Sequence, residues 1–447
     1  MRNCLVMALA AILVGLGLSA SEAEAEFEPW PEDDPTEAVA ESDLEGDLEG
    51  AGTAAEDAIV PLVGLTLEQA TEWAAQSHPE QAFWRATVEG IDARANQAGK
   101  MPNPEFSARM ETVPLHRGNV GDSEFLAGVS QEIPTAGKLS KARRVAQADR
   151  TRIEYEQAAG WVEIRKRVHG AFAVALYNDQ LCALLAAAVE VTERSLAIAK
   201  SKVDAGEAVP DEVARAEMER ARARLDLERA SMLKAKALVE LAAAMGLSGK
   251  EIESVAGAIE AALELPVLEE LAADLERHPR ILAAAAEVAA QHARVDYAKA
   301  QRIPNVNVDL LYRRVGSERL NALDAGFSIS IPLFDGGKAR VAEAEADRRA
   351  AEAKGRSERI ALEGELRSAH LQLMRALQTA KLITEEIVPR SQSLLQTAEA
   401  RYKAGDASLD QVLPIRRDAT ASKLSHLEAL RDVLSAWVEL KPFVDKR

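Results

Sequence analysis

The chain has 447 residues, of which 54 are Lys or Arg, 72 are Asp or Glu, 47% are apolar and only 4% are aromatic. Few aromatic residues and much Ala, Leu, Glu, Lys and Arg predict long helices and argue against a β-sandwich or a disulfide scaffold. The net charge of −18 comes from the N-terminal part of the chain, because residues 3–84 hold 18 acidic and no basic residues. Residues 85–447 carry 53 basic and 54 acidic residues, which leaves no basic excess for binding nucleic acid.

The first 25 residues have the pattern of a secretory signal peptide. Arg2 precedes an apolar run from Leu5 to Leu18, and small residues then suit cleavage after Ala25. The run is too short to span a bilayer, and no later run reaches eighteen uninterrupted apolar residues, so we expect no transmembrane helix in the mature chain. Residues 26–62 form an acidic leader with prolines and few large apolar residues, which predicts disorder.

The remaining chain is an internal repeat with an offset of about 200 residues. A His-Pro pair, a Pro-Asn motif, an Ile-Pro motif followed by Gly-Lys, and a glycine turn recur in the same order. They begin at His78 and His278, at Pro102 and Pro304, at Ile133 and Ile331, and at Gly206 and Gly405. We therefore predict two copies of one unit, residues 63–250 and residues 265–445.

Each unit is predicted to begin with a helix, at about 67–100 and about 267–301, that is interrupted at its His-Pro pair. A β-hairpin follows at about 102–133 and about 304–333, where apolar and polar residues alternate, with loops expected at about 114–123 and 315–324. On the second hairpin the alternation predicts one apolar and one polar face. The apolar face has Phe327, Ile329 and Ile331, and the polar face has Asn307, Asp309, Ser328 and Ser330.

A long helical hairpin is predicted to end each unit, at about 139–246 and about 339–440. No proline interrupts residues 135–209, whereas Pro389 is the expected break in the second long helix. Gly206 and Gly405 are expected to end the descending helices, with capping of the returning helices by Asp211, or by Ser408 with Gln411. Apolar residues of the second long helix recur at mostly three and four residue intervals and predict a stripe that needs a partner helix. They are Ile360, Leu366, Leu371, Leu373, Leu377, Ile383 and Ile387.

Four amphipathic strands per chain leave two open sheet edges, which are too costly in hydrocarbon. Together with the signal peptide, they predict a barrel that is shared between subunits in an outer membrane. The predicted fold class is mainly α with a small β part. Three chains with four strands each would give a 12-stranded β-barrel, an even number within the range of such barrels, and their long helical hairpins would form a trimeric α-barrel.

These features resemble the TolC-like outer-membrane efflux family over nearly all of the chain from about residue 65. The likeness rests on the signal, the Pro-Asn strand, the Ile-Pro then Gly-Lys junction, the Ala-Gly tip followed by Asp and Val, and the duplication. The first junction, Gln131 to Lys138, is similar to that of the heavy-metal resistance branch, whose channels serve cobalt, zinc, cadmium and copper. The resemblance implies a homotrimeric, passive exit conduit for metal cations or small toxic compounds. It implies a place in the outer membrane of a Gram-negative bacterium, with a periplasmic portion that meets an adaptor protein and an inner-membrane pump.

The resemblance also assigns roles to residues. The adaptor-docking tips fall on Gly206, Glu207, Ala208, Val209, Pro210 and Asp211, and on Gly405, Asp406, Ala407, Ser408, Leu409 and Asp410. A periplasmic gate falls on Asp204, Glu207, Glu385 and Glu386, and the polar strand residues would face the lumen. For each charged residue of the tips and the gate, an alternative to a functional role is that it caps a helix or is a solvated surface charge.

The sequence predicts neither an enzyme nor a bound cofactor or metal. Its seven histidines lack zinc-ligand spacing, and it has no phosphate loop and no Gly-x-Ser-x-Gly motif. His78 and His278 are interpreted as structural turns. One alternative is a periplasmic or secreted coiled-coil scaffold without a pore, against which the apolar strand face argues. Another is a type I protein or peptide export channel of the same fold, which the sequence does not separate from metal efflux.

Overall fold

The computed structural model describes residues 62–112, 123–206, 208–247, 252–257 and 265–445. The predicted signal peptide, nearly all of the predicted leader, most of the first hairpin loop and Glu207 lie outside the described residues. The chain divides into two compact units. The sheet unit consists of described residues within Met101–Ala136 and Ile303–Asp335, and the helical unit of those within Val60–Lys100, Gly137–Arg302 and Gly336–Arg447. These units do not coincide with the two sequence repeats, because each repeat contributes to both.

The helices and strands follow the predicted order. The first repeat contains α1 (Leu67–Ser77), α2 (Pro79–Ala98), β1 (Glu105–Glu111), β2 (Glu124–Ile133), α3 (Lys138–Asp204) and α4 (Pro210–Met245). The second repeat contains α5 (Leu268–Asp274), a 3-10 turn (Leu275–Arg277), α6 (Pro279–Gln301), β3 (Val306–Val315) and β4 (Leu320–Ile329). It ends with α7 (Lys338–Leu382), a π turn (Ile383–Ile387), α8 (Val388–Ala404) and α9 (Leu409–Val444).

The strands form one antiparallel sheet in the order β1-β2-β3-β4. The two hairpins join because β2 pairs with β3 from Glu124↔Val315 to Ile133↔Val306. The predicted loop at 315–324 is wrong, since residues from Leu320 onward pair with β3 and only residues 316–319 form the turn. The predicted strand residues Ser330 and Ile331 lie beyond the end of β4.

The helical unit has its core along α3, which is continuous over 67 residues as predicted. Val168, Phe172 and Leu176 of α3 pack with residues of α1, α4 and α9 in one apolar cluster. By length and composition alone, α3 contains one stretch, of mean hydropathy 1.5, that is long and apolar enough to cross a membrane. This is weak evidence for a membrane span, because the core helix of a soluble protein passes the same test.

A second apolar cluster packs α7 against α9, through Leu362, Leu366 and Leu373 of α7. The prediction of a single buried stripe on the second long helix is therefore right only in part. Leu366 and Leu373 are buried and Leu377 and Ile383 pack at the margin, but the other three predicted members are exposed. Those three are Ile360, Leu371 and Ile387. The helix is apolar on two faces, and a pattern of three and four residue intervals does not separate them.

Candidate conduit surfaces and helical tips

One face of the four-stranded sheet is almost entirely apolar. The pairing register places Arg314 as the only charged strand residue on this face. Phe327 is 81% exposed and Leu323 is 70% exposed. An exposed apolar surface of this kind is typical of a face that contacts lipid. Its larger apolar residues are Phe106, Met110, Phe125, Val129, Ile133, Val306, Val308, Leu310, Tyr312, Leu323, Phe327 and Ile329.

The opposite face of the sheet is polar and acidic. The predicted residues Asn307, Asp309 and Ser328 lie on it, and Asn307 pairs with Ser328. The strands place six acidic and two basic residues there, a net charge of −4. They are Glu105, Glu111, Glu124, Glu132, Asp309 and Asp324, with Arg109 and Arg313.

Arg313 is the centre of a charge cluster on this polar face. Its Nε donates to Asp324 at 2.7 Å, and its Nη1 donates to Glu124 at 3.2 Å, so it links β2, β3 and β4. Arg109 and Glu111 form a further ion pair at 2.8 Å on β1. The sequence interpretation missed this cluster because it placed Asp324 in a loop. Asp324 is followed by Ala325 and Gly326, and this segment alternates too weakly between apolar and polar residues for the sequence to predict a strand there.

The two helical tips are built by a glycine with left-handed backbone. Gly206 ends α3 with φ of 75°, and Gly405 ends α8 with φ of 83°, as predicted. At the second tip the backbone N–H of Ser408 donates to Gln411 Oε1 at 3.3 Å, which is the predicted capping pair. At the first tip the cap residue of α4 is Val209, so Asp211 lies in the first turn and is not the cap.

The structure brings the two tips together, which the sequence did not predict. The Lys202 ammonium lies 3.9 Å from the centroid of the Tyr402 ring and donates to the Tyr402 carbonyl oxygen at 3.3 Å. Arg215 of α4 forms an ion pair with Asp410 of α9. The internal repeat was the sequence feature that pointed to this contact, because Lys202 and Tyr402 each lie two residues before the end of their helices.

Deeper in the tips, polar and apolar contacts join the two hairpins. Arg417 Nε donates to Glu219 at 3.1 Å, and this hydrogen bond lowers the pKa of the Glu219 carboxyl. Leu196 of α3 and Val412 of α9 share an apolar cluster with Leu409. Leu409 is only 1% exposed, so its side chain is not available to a partner, whereas Val209 is exposed.

Of the predicted gate residues, the structure describes Asp204, Glu385 and Glu386, and it does not bring Asp204 together with the other two. Asp204 is the exposed last residue of α3, at the first tip. Glu385 and Glu386 are exposed in the π turn, roughly 30 Å above the second tip at 1.5 Å per residue. Glu386 forms an ion pair with Arg390 at 3.2 Å.

The two repeated histidines have a backbone role, as the sequence predicted. His78 Nδ1 accepts from the Glu80 N–H at 3.2 Å, and His278 Nδ1 accepts from the Arg280 N–H at 3.3 Å. Each imidazole thereby caps the helix that begins at the following proline. In the part of the chain that the structure describes, no group of three His, Cys, Asp or Glu residues is placed to hold a metal ion.

Comparisons with known proteins agree with this geometry. Residues 72–247 and 271–443 match the family model described as "Outer membrane efflux protein". The chain is 24% identical to the cobalt-zinc-cadmium resistance protein CzcC of Cupriavidus metallidurans, over 83% of this chain and 88% of that protein. Its fold is similar to that of the outer-membrane channel OprN, with a TM-score of 0.71 and 19% identity over 85% of this chain and 90% of that one. For the outer membrane protein VceC of Vibrio cholerae the TM-score is 0.69, with 20% identity over 84% of this chain and 95% of that one.

The predicted resemblance and the mainly α fold class with a small antiparallel sheet are therefore confirmed. The family consists of outer-membrane channels and not of enzymes. The two matched ranges fall on the two repeats and contain both helical tips and all four strands. This chain belongs to the outer membrane efflux protein family.

Proposed function

We propose that the protein is the outer-membrane channel of a tripartite efflux system. Three copies would close their strands into a 12-stranded barrel, with the helical hairpins continuing as a tube in the periplasm. The observation that carries this proposal is the sheet, which has one exposed apolar face, one charged face and two open edges at β1 and β4. In a bilayer such edges need partner strands, and further copies of the chain supply them.

Metal cations are the substrate class that we propose, with small toxic compounds as the broader class. The similarity to a cobalt-zinc-cadmium resistance protein supports this choice. The polar face of the sheet supports it independently, because its net charge of −4 favours cations along a lumen. The protein would act as a passive exit path, and the energy for transport would come from the inner-membrane pump.

We further propose that the tips dock on a periplasmic adaptor protein. Val209, Pro210 and Asp211 at the first tip, and Gly405 and Asp406 at the second, are exposed. The contact of Lys202 with Tyr402 holds the two tips together. The gate that we propose at Asp204, Glu207, Glu385 and Glu386 needs side chains from neighbouring copies. Asp204 lies at the first tip, whereas Glu385 and Glu386 lie in the π turn, roughly 30 Å from the second tip at 1.5 Å per residue.

The mass of the detergent-solubilised protein tests the assembly. The full chain would be purified from the outer-membrane fraction and measured by light scattering, with the detergent contribution subtracted. We expect a mass of three chains. A monomer or dimer in the soluble periplasm would contradict the channel and favour a coiled-coil scaffold.

The substrate class has a separate test in cells that lack the chromosomal copy of this gene. We expect loss of tolerance to zinc, cobalt or cadmium salts and its return when the wild-type chain is supplied. Unchanged metal tolerance with loss of a secreted peptide or protein would favour the export channel instead.

A further inference from the structure

The four helix ends that adjoin the strands in sequence carry a strong positive charge. They lie within residues 92–100, 137–144, 295–302 and 336–344, which we call the basic band. The band holds ten basic and three acidic residues, a net charge of +7. The tip ends of α3, α4, α8 and α9, counted over seven residues each, hold five basic and five acidic residues. The positive charge is therefore concentrated at the ends of the helices that lead to the strands.

Contacts within the helical unit join these four helix ends. The Arg143 guanidinium lies against Gly99, so the end of α2 meets the start of α3. Arg302 Nε donates to the Gly336 carbonyl oxygen at 3.1 Å, so the end of α6 meets the start of α7. α3 and α6 pack along each other. The two repeats therefore contribute equivalent halves to one charged surface.

Most of the cations in the basic band have no counter-charge among the residues that the structure describes. Lys299 is an exception, since it forms an ion pair with Glu345 at 3.6 Å. Six of the ten cations form no ion pair with any described residue, and all of these but Lys141 are exposed. They are Arg94, Lys100, Lys141, Arg143, Arg144 and Lys338. Because like charges at this density repel each other, the surface favours an anionic partner.

Large apolar side chains adjoin the basic band in sequence. They are Met101, which follows Lys100, Ile303, which follows Arg302, and Leu333 with Phe334, shortly before Lys338. Each of the four is more than half exposed, and Phe334 is completely exposed. Apolar residues beside Lys and Arg are typical of a bilayer interface, where the apolar side chain enters the acyl region and the cation meets the head groups. An acidic protein segment would neutralise the cations but would not explain these apolar side chains.

The chain keeps the basic band close to the strands, because only four to eight residues separate each helix end from its strand. Eight residues span at most roughly 30 Å. In the proposed function the sheet crosses the outer membrane, so the band would lie near the periplasmic surface of that membrane.

We propose that the basic band binds the head groups of anionic phospholipids in the periplasmic leaflet. Its Arg and Lys side chains donate hydrogen bonds to phosphate oxygens, and the neighbouring apolar side chains enter the acyl region. The inference rests on the proposed channel and adds a class of lipid that the channel recognises.

Binding of labelled phospholipids to the detergent-solubilised full chain tests this proposal. Fluorescent phosphatidylglycerol, which is anionic, and fluorescent phosphatidylethanolamine, which is zwitterionic, would be titrated at low salt and followed by fluorescence anisotropy. We expect phosphatidylglycerol to bind at least about tenfold more tightly. About 0.5 M salt should remove most of this preference, because it screens the cations. Inorganic phosphate at the same concentration should not displace the lipid, because it lacks the acyl chains.

A matched pair of variants locates the site. The band variant removes three exposed cations that form no ion pair with described residues, and it keeps Arg143, which packs against Gly99. Its substitutions are Arg94→Gln, Lys100→Gln and Arg144→Gln. The control variant removes the same charge from α7 at least roughly 24 Å from the start of that helix, at 1.5 Å per residue. Its substitutions are Lys354→Gln, Arg356→Gln and Arg375→Gln.

The two variants should differ in their affinity for phosphatidylglycerol. One cation near an anionic lipid surface contributes a factor of about five to binding. We therefore expect the band variant to bind at least about tenfold more weakly than the wild type and the control variant to bind like the wild type. If the band variant does not accumulate in the membrane, Arg144→Gln alone should weaken binding about fivefold, with Arg356→Gln as its control.

Outcomes for the lipid site and for the channel are separable. Equal binding of both lipids by a three-chain protein, or an equal loss in the two variants, would overturn the lipid site and leave the channel standing. Residues 26–57 carry thirteen acidic residues, and lipid binding that appears only after their deletion would assign the basic band to the leader instead. A single-chain mass for the unmodified protein would contradict the channel and the lipid site together.

Discussion

His78 and His278 fix the start of a helix in each repeat, although histidine is more familiar at catalytic sites. Each imidazole accepts a hydrogen bond at Nδ1, and the proline that follows begins the helix with its φ already set. For His278, burial and then the charge of Arg280 lower the pKa to about 4. The side chain is therefore neutral in the folded protein at ordinary pH.

Replacing His278 by Asn should reduce the acid sensitivity of folding. The pKa of His278 is about 4 in the folded state and 6.5 as a free side chain, so the unfolded chain binds the proton more readily. Its contribution to stability is complete above about pH 6.5 and declines as the pH falls towards 4. Asn keeps an acceptor for the Arg280 N–H but is not protonated, so we expect a smaller drop in thermal midpoint between pH 7 and pH 4.5.

Circular dichroism of the detergent-solubilised protein measures these midpoints. His292→Asn, which removes an exposed imidazole, is the control. An equal drop in midpoint for the wild-type chain and for His278→Asn would contradict the role of this imidazole.

At the scale of single elements, the ends of the long helices depend on backbone conformation more than on side chains. Gly405 has φ of 83°, and a Cβ added there would meet no atom within 4 Å. The only obstacle to a larger residue is therefore the strain of the left-handed backbone. Gly364, in the exposed interior of α7, has equal space around it but an ordinary helical backbone.

Alanine at these two glycines should have opposite effects. Gly405→Ala should lower the free energy of unfolding by about 1 kcal/mol, because L-residues are strained at positive φ. Gly364→Ala should raise it by about 0.5–1 kcal/mol, because alanine favours the helix and restricts the unfolded chain. Urea titration of both variants measures the difference. The same sign for both changes would show that backbone conformation does not control the second tip.

The helices could be predicted from the sequence where a proline or a glycine marks the start, the end or a break. Pro79 and Pro279 mark helix starts, Gly206 and Gly405 mark tips, and the position of Pro389 marked the irregular segment that proved to be a π turn. The pairing of β2 with β3 was not predictable, because it joins residues far apart in sequence. The contact of Lys202 with Tyr402 was missed as well, and only their equivalent positions in the two repeats pointed to it. A periodic pattern shows that a helix has an apolar face but not which helix covers it.

At the scale of the whole molecule, the sheet differs from a sheet of a soluble protein because its apolar face is exposed. Val308, Leu310 and Phe327 are exposed on that face, whereas Leu126 is buried on the charged face beside Arg313. The pleat separates the two environments by a single residue. Neighbouring positions of one strand can therefore be compared directly.

Arginine at Phe327 should block membrane insertion, whereas arginine at Ser328 should not. The two residues are adjacent on β4 but lie on the apolar and the polar face, respectively. A lipid-facing arginine costs about 2–4 kcal/mol near the bilayer midplane, and a lumen-facing one is solvated. Quantitative blotting of outer-membrane fractions should show less Phe327→Arg protein than Ser328→Arg protein. Equal recovery would exclude a lipid-facing role for this face.

The charge of the polar sheet face has a consequence for how the conduit would discriminate between solutes. In the proposed assembly, each chain adds a net charge of −4 to the lumen wall, spread over four strands. Such a wall attracts cations by its electrostatic potential without holding any of them at a fixed site. Dissolved salt screens this potential over about 8–10 Å. Discrimination between cations and anions would then weaken as the ionic strength of the medium rises, whereas the width of the opening would stay the same.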